Sequence, residues 1–105
     1  MIFVTPAISL DDDEIELSFI RASGPGGQNV NKVSSAVQLR FDMAGSPSLA
    51  DDVKERLARL AGSRLTKEGV IVLTADGFRT QERNRADAVA RLVDLVARAA
   101  ERPKP

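Results

Sequence analysis

The sequence predicts an α+β fold: a small single domain in the order β-β-α-β-α, with a mixed sheet and its helices packed on one face. Three observations carry this prediction. Apolar and polar residues alternate over 14–21 and again over 36–42, the period of a half-buried strand. Apolar residues recur at helical spacing over 53–65 and 86–100. The 105 residues, 43% of them hydrophobic, suffice for one modest core and no second domain.

Each element has a local reason. Residues 1–13 are acidic towards their end and are expected to be a partly flexible N-terminal segment outside the domain, which spans 14–101. In the first strand Ile15, Leu17 and Phe19 point one way, Glu16 and Ser18 the other. Residues 23–29 read as a loop from their Ser, Gly, Pro and Asn content. The second strand sets Val37, Leu39 and Phe41 against Gln38, Arg40 and Asp42. Ser46 before Pro47, or Ser48 with Asp51 three residues on, is suited to cap the next helix. That helix buries Val53, Leu57, Leu60, Ala61 and Leu65, unless Gly62, which costs about 1 kcal/mol inside a helix, ends it. Glu68-Gly69 turns the chain into Val70–Thr74, a strand apolar on both faces and therefore expected in the centre of the sheet. Thr80 is the expected N-cap of the longest helix. Its expected apolar face is Ala86, Val89, Ala90, Val93, Val96, Ala97 and Ala100, and Pro103 stops it.

Absences narrow the chemistry. The sequence has no Cys, hence no thiol nucleophile, and no His, hence no Ser-His triad and none of the usual zinc sites. No apolar run approaches the roughly 20 residues that span a bilayer. Four Phe are the only aromatics, which speaks against a base-stacking sheet. The fifteen bases balance fifteen acids, but unevenly. Residues 1–20 carry five acids and no base; residues 21–40 carry Arg21, Lys32 and Arg40 and no acid; residues 71–105 carry seven bases against five acids. Such segregation is suited to a basic surface that faces phosphates.

The stretch between the first two strands is far longer than a tight hairpin needs. Gly24, Gly26 and Gly27 cost backbone entropy that a structural turn avoids, which points to close approach to a partner. Neither the phosphate-loop lysine motif nor the third Gly of a dinucleotide fingerprint follows.

Ser23-Gly24-Pro25-Gly26-Gly27-Gln28-Asn29-Val30-Asn31-Lys32 closely resembles the Gly-Gly-Gln signature of class I peptide-chain release factors. Val33 to Arg40 is similar to that family's continuation into a strand, and Gln81-Glu82-Arg83-Asn84-Arg85 to a second family feature. The resemblance covers 14–100. Stop-codon-reading members carry further domains, so a chain of this size resembles the short, codon-independent ribosome-rescue subfamily, that of alternative ribosome-rescue factor B. Short members continue into a Lys/Arg-rich tail, so residues 102–105 are expected to be the start of a truncated basic tail.

The resemblance implies that residues 14–101 are a Gly-Gly-Gln peptidyl-tRNA hydrolase domain that cleaves the peptidyl-tRNA ester on stalled ribosomes. Gly26, Gly27 and Gln28 would be catalytic, with Ser23, Gly24, Pro25, Asn29 and Asn31 supporting the loop. Arg21, Lys32, Arg40, Arg79, Arg83 and Arg85 would contact RNA, although Arg83 and Arg85 also have Glu82 and Asp87 within reach along the chain. The expected partners are the large ribosomal subunit, its rRNA and P-site peptidyl-tRNA, met by a cytoplasmic monomer. No metal, cofactor or membrane is called for. A non-catalytic RNA- or ribosome-binding module of the same fold, and a ribosome-independent peptidyl-tRNA hydrolase, remain alternatives.

Overall fold

The computed structural model describes residues 1–20 and 35–101. β1 (Ile2–Thr5) and β2 (Ile8–Leu10) form an antiparallel hairpin. A 3-10 turn over Asp12–Glu14 leads into β3 (Ile15–Ile20). β4 (Ala36–Asp42), α1 (Asp51–Ala61), β5 (Val70–Ala75) and α2 (Gln81–Ala100) follow. The α+β class and the two helices are as the sequence predicts. The sheet expected to be mixed is antiparallel in both of its pairings, in the order β3-β4-β5.

The alternation of the strands is realised in register. Leu39 lies opposite Leu17 and Leu73, and Phe41 opposite Ile15 and Ile71. Val37, Leu39, Phe41, Ile71, Leu73 and Ala75 are buried on one face. α2 lies over β4 and β5 and reaches β1, while α1 packs chiefly on α2. One core joins the hairpin, the inner sheet face and both helices.

Several expectations are corrected by this packing. The first ten residues belong to the domain: Val4, Ile8 and Leu10 are buried in its core. β5 is an edge strand and β4 is central, although β4 carries Gln38, Arg40 and Asp42 on its outer face. An antiparallel sheet open to water on one side tolerates that pattern. β3 is the other edge, and α2 packs chiefly on β4, β5 and β1, so Leu17 and Phe19 stay 37% and 57% exposed. The buried stripe of α2 is Asn84, Ala88, Leu92, Leu95, Val96 and Ala99; Ala86 and Ala90 are exposed. α1 starts after Ala50 without a side-chain cap and ends at Gly62, whose positive φ of +56° Gly adopts without strain. Leu65 therefore falls outside it.

Ser46 and Ser48 do not cap α1 because their hydroxyls are used elsewhere. Both donate to the Glu14 carboxylate, Ser48 at 2.6 Å, and the Asp11 amide donates to it at 2.7 Å. Partial burial opposes ionisation of Glu14. The Ser46 and Ser48 hydroxyls, the Asp11 amide and the Lys54 charge outweigh it, holding the carboxyl below its ordinary value of 4.5. A carboxyl depressed by folding stabilises fully above that ordinary value and loses its contribution as pH falls through its lower, folded-state value. Glu14→Gln is expected to cost about 1–2 kcal/mol at neutral pH, from lost charge-assisted hydrogen bonds. The cost should shrink in acid, as urea midpoints at pH 7 and pH 4 will show; a pH-independent difference contradicts the assignment.

Candidate functional site

Residues 21–34 connect β3 to β4. Arg21, Ser23, Gly24, Pro25, Gly26, Gly27, Gln28, Asn29, Asn31 and Lys32 all lie outside the described residues. The frame that carries this segment is described. Ile20 faces Ala36 in the last pair of the β3-β4 ladder, so the residues flanking this segment lie on neighbouring strands. Ser35 is the first residue of the return.

Ser35 is held from the opposite end of the sequence. Asn84, in the first turn of α2, is fully buried. Its Nδ2 donates to the Ser35 carbonyl at 2.7 Å and to the Phe78 carbonyl at 3.0 Å. Its Oδ1 accepts from the Phe78 amide at 2.9 Å. The reversed carboxamide would turn donors towards the Phe78 N–H and an acceptor towards two carbonyls, so the network fixes the orientation. The Ser35 hydroxyl also donates to the Phe78 carbonyl, at 3.4 Å. Thr80 caps α2 as expected, accepting from the Arg83 amide at 3.2 Å.

Of the six bases expected to contact RNA, the four that are described separate into two groups. Arg40 is exposed on the outer face of β4, between Glu16 on β3 and Val72 on β5. Arg79, Arg83 and Arg85 gather around the start of α2, on the side of the sheet that carries the helices. The structure therefore does not bring Arg40 to the same surface as the other three. The Arg83 guanidinium stands 5.3 Å from the centroid of the Phe78 ring, which is 42% exposed. Arg85 lines a groove with Ile2, Asp12, Ile15, Leu17 and Val89. Among the described residues none of these three arginines forms an ion pair. Asp87 instead holds Arg91 at 2.9 Å.

Phe78 and Ser35 are not singled out by sequence reasoning, and Asn84 enters it only inside the run 81–85. In the structure Asn84 precedes Ala88, Leu92 and Val96 in steps of four, in line with the buried stripe and rotated away from the apolar face expected from the sequence. A polar residue in phase with a core stripe must find its partners inside. Among the described residues no helix is long and apolar enough to cross a membrane.

Comparison with known proteins places the whole domain. The chain is 53% identical over 104 residues to peptidyl-tRNA hydrolase ArfB of Pseudomonas putida, spanning 99% of this chain and 75% of that protein. It is 38% identical over 92 residues to large ribosomal subunit protein mL62 of Mus musculus, spanning 88% of this chain and 45% of that one. It is 31% identical over 84 residues to the chloroplastic peptide chain release factor PrfB1 of Arabidopsis thaliana, covering 18% of that protein. The family model for the RF-1 domain matches residues 4–105. With its Gly-Gly-Gln run set between β3 and β4 and nearly its full length matched, the chain belongs to the RF-1 domain family, to which it is joined by relatives among the peptide chain release factors.

Proposed function

We propose that this chain is a codon-independent release factor that hydrolyses the peptidyl-tRNA ester on stalled ribosomes, acting as a cytoplasmic monomer. The observation that carries the reading is Gly26-Gly27-Gln28 in a chain matched over 99% of its length by a peptidyl-tRNA hydrolase. An ester is already activated, so positioning and charge stabilisation suffice without His or Cys. Gly26 and Gly27 offer backbone free of Cβ to a crowded RNA centre. The Gln28 amide donates to the developing oxyanion or to the leaving ribose oxygen, and its side chain orients water. The proton acceptor lies on the tRNA or in a water chain.

The partners are the large subunit, its rRNA and P-site tRNA. The match to a protein named as part of the large ribosomal subunit supports this. Arg79, Arg83 and Arg85 support it independently. Cations at a helix N-terminus oppose the helix dipole by about 0.3–1 kcal/mol each. Arg83 lies in the first turn of α2, flanked by Arg79 and Arg85, and three bases without a carboxylate partner among the described residues are suited to a polyanion. The loop bases Arg21 and Lys32 belong to the same proposal, and Arg40, on the outer face of the sheet, would meet RNA at a separate surface.

The test is release of labelled peptide from ribosomes stalled on an mRNA without a stop codon, followed across a salt series. Release is expected with ribosomes and not with free peptidyl-tRNA. Replacing Arg79, Arg83 and Arg85 together by Ala should raise KM. It should also flatten the dependence of log affinity on log salt, by about 0.7–0.9 for each phosphate that the variant no longer neutralises. Ribosome binding without release marks a non-catalytic module; hydrolysis of free substrate marks a ribosome-independent hydrolase.

A further inference from the structure

We infer that Asn84 is a positioning residue for the Gly-Gly-Gln loop, holding the point where the loop rejoins the fold; this rests on the reading of Gly26-Gly27-Gln28 as the hydrolytic motif. The carboxamide is the only polar side chain in the buried stripe of α2. Asn is a weaker helix former than Ala or Leu, and burying its amide without partners is costly. At this position the amide stands where 88, 92 and 96 carry apolar residues, and it serves three main-chain groups that an apolar side chain would leave without these bonds. The three groups belong to two other segments. Main-chain partners fix backbone position directly, without an intervening rotamer.

The β3-β4 ladder secures both flanks of residues 21–34, because its last pair is Ile20 and Ala36. The returning flank has a further hold. At the returning end the Ser35 carbonyl is held by Asn84 Nδ2, and the Ser35 hydroxyl reaches the same Phe78 carbonyl that Asn84 holds. Truncation of Asn84 leaves the Ser35 and Phe78 carbonyls and the Phe78 amide without these bonds at once. Ser35 then loses its hydrogen bond to α2, and a misplacement near 1 Å is enough to lower a rate about a hundredfold when catalysis is positional.

The experiment uses the full chain with Asn84→Ala, Asn84→Asp and, as a distant control, Leu57→Ala, which opens the core under α1. In release from stalled ribosomes, Asn84→Ala is expected to lower kcat by about tenfold or more with KM changed less than about twofold. Limited trypsin digestion gives a readout without catalysis. Cleavage after Lys32 should accelerate relative to cleavage after Arg64 in Asn84→Ala, and not in Leu57→Ala. Asn84→Asp keeps the acceptor for the Phe78 amide but faces two carbonyls with no donor. It should regain release as pH falls, when its protonated carboxyl donates one of the missing bonds, against a wild type lacking that rise. Should Asn84→Ala not fold, this pH profile decides alone. An unchanged kcat with unchanged Lys32 cleavage in an active background overturns the role of Asn84, as does an equal loss in Leu57→Ala at matched stability. A wild type that releases no peptide overturns the functional reading, and the inference with it.

Discussion

Gly27→Ala is expected to reduce peptide release from stalled ribosomes by about 10²–10³, through kcat and not through ribosome affinity. Two effects act together. In the proposed mechanism the added methyl would occupy the space through which the backbone approaches the reacting ester, and Ala lacks the left-handed and mirror-β conformations open to Gly. Neither alters the charges that draw the protein to RNA, so binding should survive. Gln28→Ala is the informative comparison, because it keeps the backbone amide and removes only the side chain. If the amide stabilises the oxyanion, Gln28→Ala retains appreciable release where Gly27→Ala retains almost none. Single-turnover release at saturating factor separates the two. Equal losses in both variants would move the catalytic weight to the Gln28 side chain, and a fully active Gly27→Ala would remove the mechanism.

Phe41→Ala is expected to remove most of the stability of the domain. Phe41 is fully buried in the central strand, between Ile15 and Ile71 on its neighbours, and belongs to the core shared with both helices. Truncating such a ring costs about 3–5 kcal/mol, from the transfer energy of the removed atoms and the cavity left behind. A native domain has only about 5–15 kcal/mol in total, and a chain of this length lies towards the lower end. Phe19→Ala removes the same atoms from β3, where the ring is 57% exposed, and should cost less than about 1 kcal/mol. The chain has no Trp or Tyr, so far-ultraviolet dichroism in urea is the suitable probe. Equal midpoints for the two variants contradict the packing described above.

The same two phenylalanines show what the sequence discloses and what it hides. Alternation correctly places Phe19 and Phe41 in strands and on one face. It does not say which strand a helix will cover, because that depends on where α2 docks. The phase of α2 was hidden for a related reason: Ala occurs on several sides of the helix, and the residue that marks the core side at its start, Asn84, is polar. Val70 to Thr74 is apolar on both faces, yet apolarity reports burial and not rank in the sheet, and β5 is an edge. Ser46 and Ser48 have the spacing of helix caps, but their partner is Glu14, 32 and 34 residues away. Local spacing cannot reveal such a pairing. The Gly-Gly-Gln motif needs no fold to be read. The frame around it, from Phe78 to Asn84, emerges only once the helix is packed.

The bond from Asn84 to Ser35 joins residues 49 apart in the chain. A ribosome making this protein completes β3, the motif and β4 well before α2 exists. Contacts between such distant residues form late, after most of the chain has been brought together. If Asn84 positions the loop as inferred, the motif is synthesised early but gains this anchor only when α2 closes over the sheet. Competence to cut a nascent chain would then arrive with the finished domain.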